Sequence, residues 1–383
     1  MKTSIMFLLG SGVSIPGGFP STDEITTQVY EGKDIIRHTD GRYYLPDHPG
    51  DCEKELTEPY LSPVRFLLQS INNLMSKYEK QEPINYEILY YFIQQLNAFK
   101  SGDLLNMALY PFMDQVKTCM QETLDLTDVF DEAEKYIRHT VWRMLARPVD
   151  KHQHLGFLSE AIKDQNVTIN VATLNHDLLI ETHITQKKID FCDGFGSPIN
   201  GVRYWENRFA DRNNLLKVHG SINWFSLMPD NGDWFDEKIG IVLDGDIDHP
   251  RSPIGDLMRS TPEKEPQILV GTFNKIYEYT ESIFSDIYCE FRTLLSRSQY
   301  LVVSGYSFSD KGVNTAILEW LYKDRGHKII LIHRDADKLL QTDARMAIRK
   351  AYGSAKSNFV PIRKFIEDTS WNEISAKINH TNA

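Results

Sequence analysis

Apolar residues along this chain gather in two rhythms. Six short runs carry no polar alternation: Ser4–Leu9, Val167–Ala172, Leu215–Val218, Tyr300–Ser304, Lys328–Ile332 and Asn358–Ile362. Continuous runs of this length mark strands buried on both faces, the habit of a parallel sheet. Most lead directly into Gly, Ser, Asn or Asp. Helical patterns follow the later runs, at Asn314–Tyr322, Ala336–Tyr352 and Phe365–Ile378, as crossover connections require. The fold class that follows is α/β: a Rossmann-like parallel sheet with helices on both faces.

The long interval between the first two runs keeps the helical rhythm. Val64, Leu67, Leu68, Ile71, Leu74 and Met75 fall on one helical face, as do Leu89, Phe92, Ile93 and Leu96, and Val129, Ala133, Tyr136, Ile137, Val141 and Met144. Pro63, Pro83, Pro111 and Pro148 stand at helix boundaries. These stripes predict a helical module over 57–165, inserted into a sheet domain made of 1–56 and 166–383. A second insertion, about 191–266, reads as loop-rich, with turn signals at Asp230-Asn231-Gly232-Asp233 and Asp244-Gly245-Asp246. No internal repeat is evident.

Composition narrows the classes. At 383 residues the chain is long enough for two domains, or for one with a large insertion. It has 42 basic and 53 acidic residues, a net charge of −11, and no Lys/Arg cluster, which argues against direct nucleic-acid binding. No run approaches the ~20 apolar residues of a membrane helix. The apolar stretch Ile5–Leu9 is too short for a signal peptide and meets Gly10-Ser11-Gly12 at once. Cys52, Cys119, Cys192 and Cys289 are scattered, without a C-x-x-C pair, so a structural zinc is not expected and reduced thiols of a cytoplasmic protein are.

The chemistry gathers at the carboxyl ends of the predicted strands, where open α/β sheets bind ligands. The first run enters a loop with four glycines in nine residues, Gly10, Gly12, Gly17 and Gly18, interleaved with Ser11 and Ser14. Such a loop suits a phosphate, and Ser21-x-x-Glu24 is a capping box that opens the next helix. A bare strand-to-helix turn is the alternative. The dehydrogenase fingerprint fails, because its third glycine would fall at Ile15. The second run ends Thr173-Leu174-Asn175-His176-Asp177, which suits holding a ribose, a carboxamide or a water, or equally a helix cap. The third ends at His219-Gly220, where an imidazole could act as general base or be structural. The fourth ends Gly305-Tyr306-Ser307-Phe308-Ser309-Asp310, apt for another part of a dinucleotide, with Ser309 or Asp310 as a plain N-cap otherwise.

In order, these segments resemble the sirtuin family. Gly10-Ser11-Gly12-Val13-Ser14 with Gly18-Phe19-Pro20 is similar to the family's Gly-Ala-Gly-x-Ser stretch leading to Gly-Ile-Pro-Asp-Phe-Arg. Thr173-Leu174-Asn175-His176-Asp177 resembles Thr-Gln-Asn-x-Asp, His219-Gly220 the catalytic His-Gly, and Gly305-Tyr306-Ser307 the Gly-Thr-Ser segment. The departures are Ser21-Thr22-Asp23 in place of Asp-Phe-Arg, the missing zinc cysteines, and His333 where the family has an adenine-side asparagine. They turn the resemblance from protein deacylases toward the sirtuin-like NAD-consuming effectors of bacterial antiphage defence, most nearly the HerA-associated kind.

The resemblance implies NAD+ as substrate, cleaved to nicotinamide and ADP-ribose. It implies Asn175 and His219 as catalytic residues, and Gly10, Ser11, Gly12, Ser14, Phe19, Pro20, Asp177, Gly305, Ser307, Asp310 and His333 as NAD-binding residues. It further implies a homo-oligomer working with a separate sensor such as a HerA-type ATPase, a short Argonaute being the less favoured partner. Protein deacylation, a non-catalytic NAD or ADP-ribose sensor, and dehydrogenation are the other classes, the last disfavoured by the failed fingerprint.

Overall fold

The computed structural model describes residues 2–38, 41–45, 61–76, 83–102, 106–120, 126–199, 201–211, 213–229, 237–243, 258–260 and 265–380. All six apolar runs are strands: β1 Thr3–Leu9, β2 Val167–Thr173, β3 Asn214–Lys217, β4 Tyr300–Ser304, β5 Lys328–Ile332 and β6 Phe359–Ile362. They form one sheet in the order β6-β5-β4-β1-β2-β3, and every neighbouring pair is parallel. Burial on both faces explains the unbroken runs, since Ile5 to Leu9 and Leu301 to Val303 are all fully buried. Pro361 is tolerated because β6 is an edge strand and one side of it has no ladder to serve.

The chain thus winds outward from β1 to β3 on one side, then returns to start again at β4 beside β1. Leu9 pairs with Ser304 on one flank and with Thr173 on the other. The reversal of strand order between β1 and β4 is the topological switch point, where a doubly wound sheet opens a crevice at its carboxyl edge.

Two sequence expectations about elements are corrected. The single helix expected over Ala336–Tyr352 is broken into Ala336–Lys338, a wide π-type turn at Leu339–Asp343, and Met346–Ser354. Ala344 and Arg345 between them are extended, and Arg345 donates from its amide to Phe308 O and from Nε to Ser309 O. A tertiary contact with the loop after β4 therefore accompanies the interruption. Among its described residues, the segment read as loop-rich lies mostly in antiparallel strands. Gly194–Phe195, Val202–Arg208, Lys238–Val242, Gly220–Pro229 and Met258–Ser260 lie side by side, and Pro266–Ile268 also pairs with Gly220–Pro229. The two turn signals fall outside the described residues.

The chain forms two compact units. One comprises 1–19, 148–269 and 275–383 and contains the parallel and antiparallel sheets; the other comprises 20–147 and 270–274. In the second unit the expected stripes are helices Leu61–Met75, Tyr86–Ser101 and Leu126–Leu145, with Val64, Leu67, Leu68, Leu89, Ile93, Leu96, Tyr136 and Ile137 buried. Its first helix, Thr22–Glu31, opens on the expected capping box: Ser21 Oγ accepts from Glu24 N at 3.2 Å, and Glu24 Oε2 accepts from Ser21 N at 2.7 Å. A hairpin of Ile36–Arg37 and Tyr43–Tyr44 is tied to the long helix by Glu132, which accepts from Arg37 Nε at 2.8 Å and from Tyr43 OH at 2.9 Å.

Candidate functional site

The ends of β1 and β4 meet backbone to backbone. Gly10 N donates to Ser304 O at 2.9 Å and Gly12 N to Gly305 O at 3.0 Å. A Cβ at Gly10 would lie 2.4 Å from Gly305 O, and one at Gly305, whose φ is +65°, would lie 2.5 Å from Val13 N. These glycines are therefore required by the contact between two loops as well as by any ligand. The amides of Gly10, Gly12, Val13, Ser14, Gly17, Gly18 and Phe19 each donate to a carbonyl of the same unit. A phosphate-binding loop would turn such amides to its ligand; here they shape two short 3-10 turns, Ser11–Val13 and Ile15–Gly17. Ser11, Ile15 and Gly18 in the first loop and Ser307 and Ser309 in the second are exposed.

The end of β2 closes on the same loop. Asn175 Nδ2 donates to Gly10 O at 3.0 Å and to Ser14 Oγ at 2.8 Å, and Ser14 Oγ donates to Asp177 Oδ2 at 2.7 Å. Asp177, one residue before the N-cap Leu178, accepts from Leu179 N on Oδ1 at 3.0 Å, so the same carboxylate also satisfies the first amide of the helix Leu179–Gln186. The Asp177 carboxylate thus has one oxygen on the Ser14 hydroxyl and the other on a helix amide. Asn175 is only 6% exposed, and its Oδ1 is buried without a hydrogen-bond partner among the described residues. Such an atom carries the desolvation cost of burial with no compensating bond.

Lys217, at the end of β3, donates from Nζ to Asp177 O and pairs with Glu181 Oε1 at 2.7 Å. Burial raises the Glu181 carboxyl above its ordinary range, against the pull of Lys217. Two residues on, the His219 ring is buried, with Nε2 at 2.7 Å from Tyr279 OH and 3.2 Å from Asp310 Oδ2. Tyr279 OH in turn donates to Asp310 Oδ2 at 2.9 Å, and Asp310 Oδ1 accepts from Val313 N at 2.8 Å, capping helix Lys311–Lys323. Burial works to raise the Asp310 carboxyl, but the bond and charge of His219, with Lys275 and the Val313 amide, hold it at about 2. Burial, with Asp310 beside it, raises Tyr279 well above the ordinary phenol range. His176, whose ring centre lies 6.2 Å from that of His219, is pushed far down by burial first, and further by any positive charge on His219 and by Lys275 and Lys217. At neutral pH this edge therefore combines an ionised Asp310, a protonated Tyr279 and a neutral His176.

The structure brings Gly10, Ser14, Asn175 and Asp177 into one hydrogen-bonded group, Gly10, Gly12 and Gly305 into one backbone junction, and His219 and Asp310 into direct contact. Asp310, expected on the dinucleotide, has both oxygens on protein groups. Phe19 is buried, and Pro20 is half-buried and falls in the helical unit. His333 follows β5 at the same sheet edge, half-buried, with Nδ1 accepting from Asp335 N at 3.1 Å. Tyr279 and Lys217 had no assigned role in the sequence. Tyr279 stands in no motif, and Lys217 was visible only as part of a strand end. Among the described residues no group of three or more His, Cys, Asp or Glu is placed to hold a metal ion, and no helix is long and apolar enough to cross a membrane.

Residues 169–355 match the family model described as a SIR2-like domain. That stretch, a little under half of the chain, is sirtuin-like, and it holds Asn175, Asp177, His219, Tyr279, Gly305, Asp310 and His333. No curated protein sequence matches the chain. Among solved structures, a Sir2 homologue bound to ADP-ribose is similar at 12% identity over 100% of this chain and 92% of its own, with a TM-score of 0.40. A Sir2 homologue bound to NAD gives 13% identity over 100% and 90%, with a TM-score of 0.34.

Proposed function

We propose that this protein is an NAD+ glycohydrolase, cleaving NAD+ with water to nicotinamide and ADP-ribose. The observation that carries the reading is the pair of strand-end groups beside the switch point, Asn175 with its unpartnered buried Oδ1 and His219 on its buried carboxylate, inside the sirtuin-like segment. A buried acceptor without a partner fits a ligand that brings a hydroxyl, an amide or a water. Ser11 follows Gly10 and Ser307 follows Gly305 by two residues, so each loop of the glycine junction carries an exposed hydroxyl residue, which fits the pyrophosphate.

Loss of nicotinamide leaves positive charge on the ribose, so the protein's task is orientation and electrostatics more than covalent attack. Asn175 would orient the ribose or the attacking water through Oδ1, its Nδ2 being held by Gly10 and Ser14. Asp177 would hold the nicotinamide carboxamide, with Ser14 fixing the carboxylate. His219 would take the proton from a ribose hydroxyl or the water. Ser11 and Ser307 would bind phosphate oxygens, and His333 would lie toward the adenine side.

In this reading the chain works in the cytoplasm as the NAD-depleting effector of an antiphage system, as a homo-oligomer paired with a sensor such as a HerA-type ATPase. The inserted module 57–165, which lies outside the motifs, is the proposed assembly surface. The test is purified protein with NAD+ and no acyl-lysine peptide, with and without candidate partners, following nicotinamide release. Asn175→Ala and His219→Ala should each abolish release while circular dichroism and oligomeric state stay unchanged. Wild-type rates in both variants, or release that depends on an acylated peptide, would overturn the reading.

A further inference from the structure

An aspartate at a helix N-cap needs only one of its oxygens for that role. Asp310 gives Oδ1 to the Val313 amide, and its Oδ2 receives two further groups from elsewhere in the fold, Tyr279 OH and His219 Nε2. An ionised carboxylate only accepts, so Tyr279 must donate its hydroxyl proton to Oδ2, and Nε2 can approach the same oxygen only as N–H. The Tyr279 oxygen, 2.7 Å from Nε2, is then the second acceptor for that one proton. The three contacts form a closed ring with a single consistent set of protons. We propose that Tyr279 and Asp310 are positioning residues for His219: they hold its proton on Nε2 and so make Nδ1 the nitrogen that acts as base.

The neighbourhood is built for this. Tyr279 stacks on Tyr288 with ring centres 4.4 Å apart and planes at 10°, and Tyr288 OH is itself held by Gly312 O at 2.9 Å. Gly312 leaves room for the Tyr279 ring, since a Cβ there would lie 2.7 Å from Tyr279 Cε2. The loop is anchored by Tyr306, whose hydroxyl donates to Asp310 O and accepts from Asp310 N, each at 3.2 Å. Around the ring, Asp310 and Tyr279 lie on its Nε2 side and His176 has its centre 6.2 Å away; Lys275 acts on both Asp310 and His176, and Lys217 on His176. Asp310 is the anion among these that touches the ring, so it should make the imidazole a stronger base and fix which nitrogen reacts.

This inference rests on the NAD-cleavage reading for its chemistry. Water adds to the ribose carbon, nicotinamide leaves with the electron pair of the broken bond, and the proton lost by water passes to Nδ1 and then to solvent. The structural part can be tested without turnover. In the full-length protein with 15N-labelled histidine, the His219 signals, assigned by their loss in His219→Gln, should report the Nε2–H tautomer. Asp310→Asn and Tyr279→Phe should each shift the His219 titration midpoint downward, Asp310→Asn by about one pH unit or more. In turnover, the acid limb of kcat should move down with it, kcat should fall tenfold or more in Asp310→Asn with KM within about twofold, and Asp310→Glu should recover part of the loss.

Should Asp310→Asn fail to fold for want of its cap, Tyr279→Phe leaves the cap intact, and Gly312→Ala displaces Tyr279 from the other side. A wild-type Nδ1–H tautomer, or an unmoved titration in both Tyr279→Phe and Gly312→Ala, overturns the proposal. Absence of nicotinamide release from wild type with every partner tried would overturn the NAD-cleavage reading instead, while the tautomer and titration would still decide the roles of Tyr279 and Asp310.

Discussion

Asp310 shows how one side chain couples stability to chemistry. Its carboxyl is held at about 2 in the fold against an ordinary 3.8, so folding favours the ionised form. The sign follows from linkage: a depressed folded value stabilises the protein above the unfolded value, and that stability is lost as pH falls through the folded one. Wild type should therefore exceed Asp310→Asn in unfolding free energy by about 2 kcal/mol above pH ~4, and the gap should close as pH drops toward ~2. Urea titrations of both proteins across that range check it. The result does not depend on any substrate. Asn175 differs in that its strain is local, because two donors are engaged and one buried acceptor is left without a partner.

At the scale of elements, the decisive contact is between the loops after β1 and β4. Their amides and carbonyls satisfy each other, and neither loop has space for a Cβ where they touch. Gly10→Ala should cost about 1–3 kcal/mol, since the added carbon meets a carbonyl oxygen of backbone rather than a movable side chain. Chemical denaturation should show it; on the proposed NAD+ reading KM for NAD+ should rise as well, because Ser11 adjoins the displaced Gly10. A second link at this scale is Lys217, which joins β3 to both Glu181 on helix Leu179–Gln186 and the backbone of Asp177. The interrupted helix near Ala344 belongs here too, because Arg345 braces the carbonyls of Phe308 and Ser309.

At the scale of the molecule, the unit that holds both sheets is assembled from three stretches of chain, separated in sequence by the two stretches of the helical unit. The net charge of −11 gives the whole chain no general attraction for a phosphate backbone. The purified chain alone should leave duplex DNA unshifted in a mobility assay at 0.15 M salt, and DNA retention should appear only when a DNA-binding partner is added. Light scattering on the same sample tests the proposed homo-oligomer.

The sequence by itself determined the parallel strands, because burial on both faces writes an uninterrupted apolar run whatever the surroundings. It also determined the glycines, the Asn175-His176-Asp177 turn and His219-Gly220, since chemistry at a sheet edge sits directly after the strand that presents it. The antiparallel strands were not legible. In Gly220–Pro229 polar Ser221 and Ser226 are buried alongside Ile222 and Trp224, so burial there does not follow polarity. Nor was the ring of His219, Tyr279 and Asp310, whose members are 60 and 91 positions from the histidine. Local pattern records which face of an element is buried. Which side chain meets which across that distance is decided only when the sheet brings β3, β4 and the segment holding Tyr279 together, and there a residue that reads as a helix cap becomes the partner of a buried histidine.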